Sequence, residues 1–212
     1  MTLENFLSEW NNDNERVLVH TSGSTGKPKP LMVEKKRMLN SARITCDFLG
    51  LQPGDTALLC MSLDYIAGKM VVVRGIERQL QLIAVKPSGH PLSDESLAEA
   101  ITFSAITSDA KGECDENITF AAMVPMQVYN TLQVPEERAR LARIKHLIIG
   151  GGAIDDALAK ELNDMSEEFR KEHGYENAIW STYGMTETLS HIALRRINGE
   201  EASEWYTPFD SV

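Results

Sequence analysis

Six short runs of β-branched and other apolar residues recur along the chain: RVLVH (16–20), TALLCM (56–61), QLIAV (81–85), NITFAAM (117–123), HLIIG (146–150) and AIWSTYG (178–184). Between them lie stretches with helical periodicity at 34–49, 66–78, 94–100, 135–144 and 155–173. The first and last of these end at Gly50 and Gly174, glycines of the kind that close a helix C-terminus. Short strands alternating with helices predict an α/β fold whose mostly parallel sheet is flanked by helices. The 212 residues suffice to bury one such core. No repeat, low-complexity tract or linker divides them, so residues 1–212 read as a single α/β domain.

Charge narrows the function classes. Basic residues number 21 against 31 acidic, a net charge of −10, which argues against nonspecific nucleic-acid or anionic-membrane binding. Any anionic ligand must then be held by a local site. Cys46, Cys60 and Cys114 are odd in number and form no CxxC pair, so neither a disulfide framework nor a zinc site is expected. A reducing, cytoplasmic setting fits that usage. The N-terminal MTLENFLSEWNNDNER has no basic start followed by an apolar core, and the longest apolar run, near MVVVRGI, is too short to span a bilayer.

Ligands of open parallel sheets collect at the carboxyl ends of the strands, and three polar stretches are expected there: TSGSTGKPKP after RVLVH, GGGAIDD after HLII, and YGMTETLSH after AIWST. In the first, glycines permit close backbone approach, the N–H groups and hydroxyls can line an anion-binding concavity, and Lys27 adds a point charge. Phosphate suits such a loop; so does plain solvation of a flexible one. A Walker loop is excluded, because Gly23 and Gly26 are three apart and Pro28 follows Lys27 where a magnesium-binding hydroxyl is required. In the third stretch Tyr183 offers a face for a base, Gly184 close approach, Thr186 a hydroxyl and Glu187 a carboxylate. Beside polyphosphate, Glu187 makes chemical sense only across a hard cation such as Mg²⁺. The bland reading is a core tyrosine followed by a helix start.

Taken together, TSGSTGKPKP, GGGAI and STYGMTET resemble, in order, the signatures of the adenylate-forming superfamily of acyl-CoA synthetases, luciferases and adenylation domains. The resemblance implies part of that family's large N-terminal domain. It further implies that Thr21, Ser22, Gly23, Ser24, Thr25, Gly26 and Lys27 surround the β- and γ-phosphates of ATP. Gly151, Gly152 and Ala153 would flank the adenine, with Tyr183 on its other face. Gly184 and Thr186 would approach the α-phosphate, and Glu187 would hold Mg²⁺. Lys27, Thr186 and Glu187 are the catalytic candidates, and coenzyme A is the implied second substrate. Pro30 departs from the glycine usual at the loop exit.

Within the superfamily, DTALLCMSLDYIAGKMVVVRGI and YGMTETLSHIAL are most similar to o-succinylbenzoate–CoA ligases of menaquinone synthesis. That likeness makes Arg74, six residues beyond Gly68, the partner of the acid's second carboxylate, with His191 facing the same pocket; Tyr65 stands where histidine is usual. The residues alone leave two other roles for Arg74, snorkelling to solvent or pairing with Asp64 or Glu77. His191 could equally be structural. TPFDSV ends the sequence without the ribose-binding aspartate or the lysine-bearing lid domain of relatives, so weak or no activity is expected of this chain by itself. A noncatalytic nucleotide-binding module, or a ligase for another acid, stays open.

Overall fold

A computed structural model of the protein describes residues 1–20, 29–104 and 118–209. Eight strands form the main sheet. Its centre consists of β3 (Thr56–Leu59), β4 (Gln81–Ala84), β6 (Phe120–Met123), β7 (His146–Ile149) and β8 (Ala178–Gly184), and its edges of β5 (Ile101–Ser104), β9 (His191–Arg196) and β10 (Thr207–Pro208), in the order β10-β9-β8-β7-β6-β3-β4-β5. The five central strands are parallel to one another. The edge strands β5, β9 and β10 pair antiparallel.

One expected strand of that sheet lies elsewhere. RVLVH forms β1 (Arg16–His20), which pairs antiparallel with β2 (Pro30–Glu34) in a separate hairpin, from Arg16 opposite Glu34 to His20 opposite Pro30. The phosphate-loop candidate therefore follows a hairpin strand and not a strand of the parallel sheet. Thr21, Ser22, Gly23, Ser24, Thr25, Gly26 and Lys27 themselves lie outside the described residues, as does Cys114.

Side-chain alternation shows why the sheet is covered on both faces. Ala57 and Leu59, Leu82, Phe120 and Ala122, and Ile148 belong to one apolar cluster, whereas Leu58, Ile83, Ala121 and Met123, and Leu147 and Ile149 belong to another. Neighbouring residues of a strand point to opposite faces, so each strand feeds both cores. The first core is closed by α1 (Leu3–Asn11), the hairpin, α2 (Lys35–Leu49) and α3 (Ile66–Arg78); the second by α5 (Pro125–Leu132), α6 (Pro135–Arg143) and α7 (Asp156–His173). A short helix, α4 (Asp94–Ala98), ends two residues before its expected limit. Gly50 and Gly174 stop α2 and α7 in the left-handed region at φ 64° and 78°. Among the described residues no helix is long and apolar enough to cross a membrane.

The hairpin is fastened by its backbone. Lys69, only 1% exposed, reaches from α3 to donate to the Leu18 carbonyl, and the Leu18 N–H donates to Glu9 Oε1 on α1 at 3.0 Å. His20, at the end of β1, is thereby brought to the rim of the central cavity.

Candidate functional site

The carboxyl ends of β3, β6, β7 and β8 surround a cavity of about 170 Å³, roofed by the N-terminal half of α3. Gly151, Gly184, Thr186, Arg74 and His191, drawn from three distant parts of the chain, all line it. Two glycines owe their identity to the local path. At Gly184 a Cβ would sit 2.4 Å from the Ser190 carbonyl oxygen, and Gly151 turns at φ 80°. Gly152, Ala153, Tyr183 and Glu187 are exposed beside the same loops. Tyr183 is 55% exposed and leans toward Tyr206, with ring centroids 5.8 Å apart. Thr186, in the 3₁₀ turn Thr186–Thr188, is buried.

Arg74 is the most unusual residue of the cavity. It lies in a helix buried almost all round and is only 2% exposed. Neither carboxylate proposed from sequence engages it: Asp64 takes the N-terminal ammonium and Glu77 takes Arg43 and Arg78. Its partners are neutral. Nη2 donates to Ser190 Oγ at 2.7 Å and reaches Thr45 Oγ1 at 3.5 Å, the guanidinium lies 6.0 Å from the Phe120 ring centre, and Nε has no partner among the described residues. Burial lowers its pKa to about 10, which leaves it charged at neutral pH. Such a cation is costly unless its remaining donors are met.

Donor and acceptor counting fixes the protonation of His191. The Thr45 hydroxyl donates to the Ser41 carbonyl at 3.2 Å, so Thr45 Oγ1 must accept from His191 Nε2 at 3.0 Å. His191 Nδ1 is then the acceptor for the Ser190 hydroxyl at 3.3 Å, while Ser190 Oγ accepts from Arg74. The whole relay runs in one direction with a neutral imidazole. Burial first, and Arg74 second, hold the His191 pKa well below its usual value, in keeping with that direction.

The description "AMP-binding enzyme" matches residues 5–208 of the sequence. The chain belongs to the AMP-binding enzyme family. That membership places it in the adenylate-forming ligase superfamily. An acyl-CoA synthetase (AMP-forming)/AMP-acid ligase II-like protein from Dyadobacter fermentans DSM 18053 is 33% identical and superposes with a TM-score of 0.77 over 97% of this chain and 51% of its own. The 2-succinylbenzoate–CoA ligase of Enterococcus faecalis is 27% identical over 176 residues, 82% of this chain and 31% of that enzyme. O-succinylbenzoate coenzyme A synthetase from Bacillus subtilis, solved with ATP and magnesium ion, shares the fold at 23% identity, with a TM-score of 0.60 over 92% of this chain and 35% of that one. This AMP-binding chain thus spans about half or less of the length of each.

Sequence reasoning about the AMP-binding chain missed Ser190 and Thr45, the hydroxyls that hold Arg74 and His191. They stand 116 and 29 residues from Arg74, and no local pattern marks them. Among the described residues of the AMP-binding chain no group of three or more His, Cys, Asp or Glu side chains could cage a metal. Glu187 presents a lone exposed carboxylate instead. That donor set suits Mg²⁺ arriving with phosphates and most of its water, the usual habit of this ion, and not a resident ion in a protein cage.

Proposed function

We propose that this chain carries the acid- and ATP-binding core of an AMP-forming acid–thiol ligase, with o-succinylbenzoate as the acid. The observation that carries the reading is Arg74, a buried cation with an unmet Nε donor, lining a cavity flanked by the GGGAI and YGMTET loops. An aromatic dicarboxylate satisfies it: one carboxylate meets Arg74, near neutral His191, and the other is left to react. The succinylbenzoate ligase of Enterococcus faecalis among the relatives supports that acid. Peptide synthetases, such as a plipastatin synthase of Bacillus subtilis at 24% identity, also match, which raises an amino acid as substrate. The cavity disfavours it. Among its described lining residues none is acidic, and a buried arginine repels an ammonium group.

In this reading Thr21, Ser22, Gly23, Ser24, Thr25, Gly26 and Lys27 hold the β- and γ-phosphates. Gly151, Gly152, Ala153 and Tyr183 enclose the adenine, and Thr186 donates to the α-phosphate beside Gly184. A carboxylate oxygen attacks the α-phosphorus, the bond to the bridging oxygen breaks and pyrophosphate leaves. The sulfur of coenzyme A then attacks the acyl carbon, loses its proton and releases AMP. Glu187 would hold Mg²⁺, which when bound neutralises charge on the phosphate oxygens. The chain's own contribution is positioning and fixed donors, which suffice because no covalent nucleophile is needed.

Titration of the protein with o-succinylbenzoate and, separately, with ATP tests the reading. Arg74→Ala should weaken the acid about 10- to 100-fold, the loss of a charge-assisted contact, and leave ATP nearly unchanged. An equal loss of both ligands would remove Arg74 from the acid site. Failure of every aromatic acid to bind would overturn the substrate class.

A further inference from the structure

Behind the central cavity lies a second cleft of about 610 Å³, between the outer face of α2 and the start of β9, with Ile44, Ile192 and Phe209 among its walls. Only Leu189 and His191 line both spaces. His191 is tied to Thr45 and Ser190 by the relay described above, whereas Leu189 contributes only apolar bulk. Leu189 is 8% exposed and packs in the first core, yet its backbone has φ 70° and ψ −38°. A bulky side chain seldom adopts that conformation, since Cβ crowds the carbonyl there. The turn imposes it: Leu189 N–H donates to the Thr186 carbonyl at 3.0 Å, and the Thr188 side chain contacts Met185 N and the Ser190 carbonyl at 3.0 and 2.7 Å. Glycine would satisfy the same backbone without strain. The residue present is therefore a leucine held against its conformational preference, at the place where two cavities would otherwise join.

We infer that Leu189 is a specificity-determining partition: it ends the acid cavity after roughly one aromatic ring and closes it off from the cleft along α2. The inference rests on the acid-site reading for its biological meaning, but the partition itself does not depend on the ligand's charge. Cavity size supports the one-ring limit. About 170 Å³ is close to an engineered apolar cavity of about 150 Å³ that takes up a single benzene. Removing the isobutyl group would connect this space to the larger cleft, and acids with a second ring would enter.

The test uses wild type, Leu189→Gly and Leu189→Ala with four probes, followed by calorimetry or ligand-observed NMR: phenol, 4-hydroxybiphenyl, benzoate and 4-phenylbenzoate. Both variants should bind the two-ring probes at least about tenfold more tightly than wild type, the effect of burying one further ring, while the one-ring probes change little. Leu189→Gly should also melt above Leu189→Ala, reversing the usual order, because both lose the side chain but only glycine relieves the backbone. Two-ring probes that bind all three proteins alike, or none of them, would overturn the partition. If the neutral probes follow the expected pattern while the carboxylates gain nothing over them and ignore Arg74→Ala, the partition stands and the acid-site reading falls.

Discussion

Two histidines with depressed basicity sit in opposite chemical situations. His191 is neutral because its neighbours need it so, as acceptor for Ser190 and donor to Thr45. His146, at the start of β7, is neutral because burial, with Lys145 and Arg196 adding to it, pushes its pKa down to about 4, and its Nδ1 is buried without a partner among the described residues. In the unfolded chain both would titrate near about 6.5. Each therefore favours the folded state fully above that pH, and the advantage is lost as pH falls toward the lower folded value, since the unfolded chain then binds more protons. For His146 the window runs from about 6.5 down to about 4. His146→Leu removes the titration without cutting a known hydrogen bond. Thermal melts should show it gaining on wild type between pH 7 and pH 5; parallel melting curves at both pH values would mean that His146 titrates normally.

At the scale of elements, the turn between β8 and β9 decides whether the site forms. Its tightest point is Gly184, where β8 shifts register against β9 and a Cβ would collide with Ser190 and His191, the two residues that hold Arg74 from the far side. Gly184→Ala should cost about 1–3 kcal/mol through overpacking. It should also weaken acid binding by moving Ser190, which a melt paired with an acid titration would reveal; a stability loss with unchanged acid affinity would show that the turn absorbs the methyl group elsewhere. The central parallel strands and the helix stops at Gly50 and Gly174 were legible in sequence, because strand runs buried on both faces and glycine caps are local signals. HIALRR was not read as a strand: its last residues are charged, and pairing beside β8 is a nonlocal choice. PMQVYNTL opens on proline and is only eight residues long, too short for its period to declare α5. For the candidate site, the loops and Arg74 were visible as odd chemistry, whereas Ser190 and Thr45 became partners only through the fold.

For the molecule as a whole, the hairpin is an appendage whose alignment depends on a few buried contacts with α1 and α3. The sequence suggested that RVLVH belonged to the sheet because its burial alternates as a sheet strand's would; its actual partner, PLMVE, begins with proline and is largely exposed, so no local pattern announces it. Lys69→Met keeps the apolar stem and removes the donor to Leu18. Amide exchange in Arg16–His20 and Pro30–Glu34 should then quicken while the central strands keep their protection; uniform acceleration throughout the protein would mean that Lys69 supports global stability and not the hairpin. The antiparallel placement of β9 also bears on how such a chain can vary. Connections leaving parallel strands can lengthen or shorten freely, since helices separate each from the next strand. The segment from Met185 to Ser190 has no such freedom: it joins direct neighbours, so losing one residue would send alternate side chains of β9 to the opposite face. His191 would leave the cavity and Ile192 would enter it. Descendants of this protein can change that segment's letters, but insertions and deletions should be purged from it.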